Sequence, residues 1–281
     1  MKLRGKWLYP AVLIVGAVAL LVGAAVVFLS IYPGYMEQRF RDQLAGATTG
    51  ADWRERSTGH FLIRYKENEP GLSEVEEALP TAYDTVSAWF GNLPDQIPVY
   101  LFPDVGTMES AVGYDFNDDG SASHIAGTLV VHSPATWSAA FRSQTTTTAI
   151  VTHELTHLAA LRMAGNKLPK WMNEGIAPYV AGQFTAKSAQ GVAERAHAGQ
   201  LYTITEMNEA FRLPNDSGGK NRGLAYAEGA SLVDYMVKTY GRDSLRQVLT
   251  GLGSGKSLEQ AFRAALGVSA KELEAAWRNS L

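Results

Sequence analysis

The chain has 281 residues, of which 46% are hydrophobic and 19% are charged, so it can bury a sizeable core and is not a disordered chain. Its net charge of −3 argues against broad nucleic-acid binding, which needs concentrated positive charge, and we expect no nucleic-acid partner. The absence of cysteine rules out disulfide bonds, thiolate metal sites and cysteine nucleophiles.

Residues 1–35 are predicted to form a short cytoplasmic tip and a transmembrane anchor. Residues 8–31 carry no charge, and a helix of that length measures about 36 Å, enough to cross a hydrocarbon core of about 30 Å. Lys2, Arg4 and Lys6 precede this run without any acidic residue, so the positive-inside rule predicts a cytoplasmic N-terminus and an extracytoplasmic domain. We therefore expect a single-pass protein of the cell membrane, with the lipid bilayer as a partner.

A cleaved signal peptide is the alternative interpretation of this segment. The apolar region of a signal peptide is normally shorter, roughly 7–15 residues, and ends in a small-x-small cleavage site. No such site follows the apolar run, where the sequence continues through Tyr32 and Pro33 to Gly34. A retained anchor is favoured for these two reasons.

Residues 36–58 are polar and contain Gly46 and Gly50, a composition typical of a juxtamembrane linker. The rest of the chain, 59–281, is predicted to form one domain in which strands come first and helices follow. Three strands are predicted, at 60–65, 97–102 and 125–132. Pro98 in the second of them indicates an edge position in the sheet.

One helix is predicted before the third strand, and the chain after Pro134 is predicted to be largely helical. The first helix covers 73–90; a capping box of Ser73 and Glu76 opens it, and Pro80 should kink or split it. Later helices are predicted near 147–165, from about 171, and over 222–240, 243–252, 257–266 and 269–280. These elements define an α+β fold, in which a small mixed sheet with a covering helix precedes a helical C-terminal half.

His153 and His157 are four residues apart in the segment V-T-H-E-L-T-H, which lies within a predicted helix. Residues four apart share one helix face, so both imidazoles can bind one Zn²⁺ ion at about 2.0–2.1 Å each. Glu154 lies about 100° further round the helix, where its carboxylate can reach a water beside the metal without binding the metal itself. This is the HExxH pattern of zinc hydrolases. Ordinary polar contacts among these side chains are the alternative.

A catalytic zinc ion needs a third protein ligand and an open position. The extended form HExxHxxGxxH is excluded because Ala160 and Met163 occupy its glycine and histidine positions. Glu174 follows on the next predicted helix among large apolar residues, where an unpaired carboxylate would be costly. We therefore predict that Glu174 completes a zinc site with His153 and His157.

The two motifs, H-E-L-T-H and L-P-K-W-M-N-E-G, resemble those of the glutamate-zincin (gluzincin) metallopeptidases, particularly the bacterial peptidase MA-like family. The resemblance covers about residues 58–281 and implies a zincin-like fold. It also implies one zinc ion per chain, held by His153, His157 and Glu174. In such an enzyme Glu154 acts as general base in the hydrolysis of a peptide or protein substrate.

The sequence departs from the family pattern four residues after Glu174. Such families often place an acid there, which can orient a zinc-binding histidine, but this chain has Pro178. Some other residue must then orient His153 or His157, and partners of this kind affect metal affinity.

The resemblance also implies further features of the site. The wider clan uses a tyrosine or histidine from the helical half to stabilise the oxyanion, and Tyr226 is the first candidate, with a core tyrosine as its alternative interpretation. His197 is a weaker candidate. The strand before the catalytic helix, 125–132, is expected to bind the substrate backbone by strand addition. The aminopeptidase motif Gly-x-Met-x-Asn is absent, which favours an endopeptidase.

Asp115, Asn117, Asp119 and Gly120 resemble the opening of a calcium-binding loop. The twelfth position, where an EF-hand has glutamate, holds Ala126. An Asx-rich turn is therefore the main interpretation, and a structural Ca²⁺ ion is the alternative.

Two other functions remain open. One is a membrane-tethered binding or scaffold protein of the same fold; the intact Glu154 argues against it, because metal binding alone does not need a general base. The other is a zinc hydrolase of a non-peptide amide. His60, His124 and His132 lie near strands and are assigned no role, because single histidines are usually structural or surface residues.

Overall fold

The computed structural model describes residue 35 and residues 37–113, 122–211 and 221–281. The chain divides into two compact units, Met1–Thr49 and Gly50–Leu281. In the first unit residues 37–47 form helix α1. All the other helices and strands given below belong to the second unit.

The predicted membrane anchor, residues 8–31, and the candidate calcium loop, residues 115–120, lie outside the described residues. In the part of the chain that is described, no helix has both the length and the apolar character that a membrane span requires. The anchor and the calcium ion therefore stay predictions.

The second unit contains a five-stranded mixed sheet. Its strands are β1 (Trp53–Thr58), β2 (Phe61–Lys66), β3 (Ile97–Phe102), β4 (Ala122–Ile125) and β5 (Thr128–His132). Their order in the sheet is β1-β2-β3-β5-β4. The inner strands β2, β3 and β5 run parallel, while β1 and β4 pair antiparallel with β2 and β5. Alternate residues of β2 are buried because successive side chains of a strand point to opposite faces.

Residues 53–58, which were assigned to the linker, form the outer strand β1. Its side chains are mostly exposed, and an exposed outer strand has no apolar alternation that a sequence pattern could reveal. Its backbone pairs antiparallel with β2, and charged side chains pair across the two strands. The carboxylate of Glu55 lies 2.8 Å from Nε of Arg64, directly opposite in the register.

The strand predicted at 125–132 is instead a hairpin of β4 and β5. Ala126 and Gly127 connect the two strands, and both have positive φ, 52° and 76°. Such a turn usually contains Asn-Gly or Asp-Gly, so alanine left no turn signal in the sequence. The hairpin places β4 at the edge of the described sheet and β5 inside it. The strand expected at 125–132 to bind a substrate backbone is therefore split, and only β4 lies at the edge of the described sheet.

Pro98 lies in β3, an inner strand rather than the predicted edge strand. β3 pairs with β5 only from Val99 onward, whereas Pro98 is opposite Leu62 of β2 alone. The missing amide hydrogen of proline is tolerated there because the neighbour on the second side has not yet begun.

Helices make up most of the second unit. They are α2 (Leu72–Phe90), α3 (Val105–Val112), α4 (Ala139–Arg142), α5 (Thr147–Ala164), α6 (Lys170–Val180), α7 (Ala186–His197), α8 (Ile204–Ala210), α9 (Arg222–Tyr240), α10 (Arg242–Gly253), α11 (Leu258–Leu266) and α12 (Ala270–Asn279). The last two begin at capping boxes, of Ser257 with Gln260 and of Ser269 with Glu272. The expected α+β class, with a small mixed sheet and a helical C-terminal half, is confirmed.

α2 begins at Leu72 without the predicted capping box. Gly71 is its N-cap residue, and no side chain caps the helix. A Cβ atom at Gly71 would lie 2.5 Å from Oγ of Ser133, so the chain packs too closely here for a capping side chain. Pro80 does not split the helix. It lies on the exposed face, where water can satisfy the carbonyl group that its missing N–H leaves unpaired.

One hydrophobic core joins the sheet to the helices. Its fully buried side chains include Phe61 and Ile63 on the sheet and Trp171, Phe262 and Trp277 in the helical half. Helix α5 contacts α2, α6, α10 and β4, so it lies at the centre of this unit. It is also the helix that carries the HExxH segment.

Candidate metal centre

Helix α5 carries His153, Glu154 and His157. The side chain of Thr146 caps its first turn by accepting a backbone hydrogen bond, and the helix ends before Gly165, as predicted. The two imidazole rings lie on one face of the helix, with their centroids 4.8 Å apart. His157 is buried, whereas His153 is partly exposed.

Helix α6 brings Glu174 to the same face. Gly165 has a φ of 63°, and a short 3-10 turn reverses the chain before α6 begins. The amide of Trp171 donates a hydrogen bond to Oδ1 of Asn208 (3.0 Å), so α8 supplies a cap for the first turn of α6. Glu174 is buried, and its Oε2 lies 3.5 Å from Nε2 of His157.

A close contact between two helices holds Glu174 in place. A Cβ atom at Gly175 would lie 2.5 Å from the carbonyl group of Gly229, and one at Gly229 would lie 3.0 Å from the carbonyl oxygen of Trp171. α6 and α9 therefore pack backbone against backbone, which requires glycine on both helices. This contact sets the distance between Glu174 on α6 and Tyr226 on α9.

His153, His157 and Glu174 fit a zinc ion. Their candidate ligand atoms lie within 4.8 Å of one another. Ligand atoms of a tetrahedral zinc site with bonds of about 2.0–2.1 Å are about 3.4 Å apart. The separation of 3.5 Å between His157 Nε2 and Glu174 Oε2 agrees with this value. Two imidazole nitrogens and a carboxylate are also a common donor set of catalytic zinc sites.

His157 is neutral at physiological pH. Burial lowers the pKa of its imidazole well below the usual value, and His153 and His124 lower it further by charge repulsion. The side chain of Asn173 opposes this shift without cancelling it. An imidazole must be unprotonated to bind a metal ion, so the low pKa favours ligation.

The ring of His153 is oriented by Gln183, which follows α6. Nδ1 of His153 donates a hydrogen bond to Oε1 of Gln183 (2.7 Å). Because Nδ1 carries the hydrogen, Nε2 keeps its lone pair for a metal ion. Gln183 thus provides the orienting contact that Pro178 cannot provide.

Glu154 lies beside these residues, with a side chain that is 13% exposed. Its Oε2 accepts a hydrogen bond from Nδ1 of His124 on β4 (2.7 Å). Burial alone would raise the pKa of Glu154, but this hydrogen bond and the imidazoles of His153 and His124 hold the pKa below its usual value. The carboxylate is therefore ionised at neutral pH and can accept a proton.

His124, Glu154 and His157 form a second group whose candidate ligand atoms lie within 4.8 Å of one another. It shares His157 with the first group, and the rings of His124 and His157 are stacked with centroids 4.3 Å apart. One nitrogen of His157 can bind only one ion, and Oε2 of Glu154 is already bonded to His124. The first group is therefore the better zinc site.

Tyr226 lies next to Glu174. Burial raises the pKa of Tyr226, and Glu174, which accepts a hydrogen bond from its hydroxyl group, raises it further. The hydroxyl group therefore stays protonated and remains a donor. Lys170 also contacts this carboxylate, with its Nζ 2.8 Å from Oε1 of Glu174. Tyr226, Lys170 and His157 thus surround the buried carboxylate.

Three other histidines make separate local contacts. His197, the weaker oxyanion candidate, is exposed, and its Nδ1 donates to the carbonyl oxygen of Ala193 within its own helix (2.9 Å). His60 contacts Asp95 at 2.6 Å. His132 bonds to a threonine hydroxyl group just after β5. None of these contacts involves the residues of the candidate zinc site.

The family model of the Peptidase MA superfamily matches residues 91–281, the part of the chain that contains every residue of the site described above. The chain belongs to the Peptidase MA superfamily. The gluzincin resemblance inferred from the two motifs is thereby confirmed at the level of the family. No curated protein gives a significant match to the sequence.

This Peptidase MA protein is also similar to solved structures of M1 zinc metallopeptidases. One is a mutant of a two-domain M1 zinc metallopeptidase bound to L-arginine, with 18% identity and a TM-score of 0.47 over 80% of this chain and 51% of that chain. Another is the M1 zinc metallopeptidase from Deinococcus radiodurans, with 19% identity and a TM-score of 0.46 over 80% and 51% of the two chains. The chain spans about half the length of these proteins.

Two residues of this site were not found from the sequence. Gln183 has no spacing relation to the HExxH segment that a motif could express. His124 was assigned no role, although it directly precedes the residues expected to line the cleft, 125–132. Its position next to that segment was the one feature of the sequence that could have indicated a role for His124. The turn at Ala126, which places His124 on the edge strand, has no recognisable sequence pattern.

Replacing Gln183 by leucine should lower zinc affinity about tenfold to hundredfold, because the ring of His153 loses its orienting partner. Gln183→Glu is the matched control, since it keeps an acceptor for the same N–H group and should keep most of the affinity. Competition with a chelator measures both variants. Equal affinities for the two variants and the natural chain would show that Gln183 does not orient the ligand.

Proposed function

We propose that this protein is a zinc-dependent peptidase in which His153, His157 and Glu174 hold the metal and Glu154 is the general base. The observation that carries the proposal is the convergence of three donor atoms within 4.8 Å beside an ionised carboxylate. A zinc site built for structure alone would not need that carboxylate. Membership of the Peptidase MA superfamily supports the same activity.

Glu154 transfers the proton in the proposed reaction. A zinc ion held here would act as a Lewis acid that polarises the scissile carbonyl and acidifies a nearby water. Glu154 accepts a proton from that water as the water oxygen attacks the carbonyl carbon. It then delivers the proton to the leaving nitrogen as the carbon–nitrogen bond breaks. Because Oε2 accepts from His124, Oε1 is the oxygen that remains for this transfer.

An extended peptide suits the surface next to the site. β4 is the edge strand of the described sheet, and an edge strand is where an extended peptide can add to a sheet. His124, which contacts Glu154, lies on this same strand. A peptide paired with β4 would therefore run past the general base.

Glu154→Gln and Glu174→Ala should separate catalysis from metal binding. Glu154→Gln should keep stoichiometric zinc and lose cleavage by at least about hundredfold, because it removes the proton acceptor. Glu174→Ala should lose zinc, because it removes a ligand. Zinc content after dialysis and cleavage of casein, with and without a chelator, measure both effects. Full activity of zinc-loaded Glu154→Gln, or full zinc content in Glu174→Ala, would contradict these roles.

Tyr226 is proposed to donate a hydrogen bond to the carbonyl oxygen as negative charge develops on it. Its protonated hydroxyl group and its position beside Glu174 support this role. Tyr226→Phe should lower kcat about hundredfold to thousandfold at unchanged zinc content, as measured by steady-state cleavage. Loss of zinc with no effect on kcat in the metal-loaded variant would instead make Tyr226 an orienting partner of Glu174.

We also propose that residues 8–31 anchor the protein in the cell membrane, with the N-terminus in the cytoplasm and the site outside. The uncharged length of this run and the preceding Lys2, Arg4 and Lys6 support this topology. The full chain should stay with the membrane after an alkaline carbonate wash. In intact cells, protease added outside should remove a tag placed after Leu281 and spare one placed before Met1. Release by the wash, or protection of the C-terminal tag, would contradict the proposal.

A further inference from the structure

Glu154 can transfer a proton efficiently only when its carboxylate is held in one orientation, and His124 holds it. Nδ1 of His124 lies 2.7 Å from Oε2 of Glu154. Because an ionised carboxylate can only accept hydrogen bonds, the hydrogen lies on Nδ1 of the imidazole. We propose that His124 is a positioning residue that fixes Glu154 for proton transfer, an inference that rests on the peptidase function proposed above.

His124 is itself held in place on two sides. Its ring stacks on that of His157, with centroids 4.3 Å apart and planes 29° apart. Its backbone is paired in the hairpin opposite Leu129 of β5, whose side chain is fully buried. The imidazole is therefore directed at Glu154 by a strand that is anchored in the core.

The contact also removes one of the two Glu154 oxygens from metal binding. Ligand atoms of Glu154, His124 and His157 lie within 4.8 Å of one another, so an unrestrained Glu154 carboxylate could reach an ion near His157. A carboxylate that binds the ion with its free oxygen no longer accepts a proton from water. With Oε2 bonded to His124, Oε1 is the oxygen that faces the reaction and accepts the proton.

The same strand connects the base to the substrate. β4 is the edge strand on which an extended peptide can pair, and it carries His124. Substrate binding and the orientation of Glu154 therefore depend on one element.

Three substitutions of His124 test this role in the full chain. His124→Leu removes the donor, His124→Asn places an amide N–H close to the position of Nδ1, and His124→Gln places one close to the position of Nε2. His60→Leu is the matched control, because His60 also bonds a carboxylate through Nδ1, at 2.6 Å, away from the site.

His124→Leu should lower kcat about tenfold to hundredfold, the scale expected for a misplaced catalytic group. KM and zinc affinity, measured by chelator competition, should stay unchanged. His124→Asn should recover most of kcat, whereas His124→Gln should not, and His60→Leu should behave like the natural chain. Loss of zinc in His124→Leu would overturn the inference, because His124 would then be a metal ligand. Unchanged kcat in His124→Leu, or no recovery in His124→Asn, would also overturn it.

A spectroscopic measurement separates this inference from the peptidase function. In the chain with ¹⁵N-labelled histidine, the Nδ1–H signal of His124 is identified by its disappearance in His124→Leu. This signal should show slow exchange with solvent in the natural chain and fast exchange in Glu154→Ala. A signal that Glu154→Ala leaves unchanged would overturn the contact. If the zinc-loaded natural chain cleaves no peptide, the proposed function fails while this measurement still decides the contact.

Discussion

Two imidazoles one turn apart on α5 face a buried carboxylate on α6, and much of the neighbouring structure serves to make this arrangement stable. An isolated charge at Glu174 would be costly because its side chain is only 6% exposed. Lys170, Tyr226 and His157 contact it from three directions. Lys170 is half exposed, so the positive charge stays hydrated while its partner is buried. Helix packing therefore places the two imidazoles and the Glu174 carboxylate together, and the neighbouring polar groups compensate the buried charge.

Each functional side chain on α5 is fixed by a group from a different part of the fold. Gln183, after α6, orients His153, and His124, on the edge strand, orients Glu154. The low pKa of His157 follows from its burial in the same core that supports the helix. The chemistry of the site thus depends on tertiary contacts at each residue, even though the HExxH segment itself is local.

Local patterns in the sequence predicted the features that a single helix can specify. Spacing placed His153 and His157 on one face, and capping boxes marked the starts of α11 and α12. The sheet was harder to predict. β1 is an exposed outer strand without apolar alternation, and the turn of the β4–β5 hairpin contains Ala126 where Asn or Asp is usual. His124 and Gln183 act across long sequence separations, which no local pattern expresses. Local patterns therefore predicted the proposed metal ligands but not the residues that contact and orient them.

The pair Gly175 and Gly229 makes the centre dependent on the spacing of two helix backbones. Helices that meet through larger side chains usually have axes 8–10 Å apart, and this contact permits a closer approach. Gly229 is three residues after Tyr226, so the face of α9 that touches α6 is also the face that presents the tyrosine. A designer who transfers the three proposed ligands and Tyr226 to another scaffold, without this close helix contact, would leave the carboxylate and the phenol too far apart. Both glycines would have to be transferred with them.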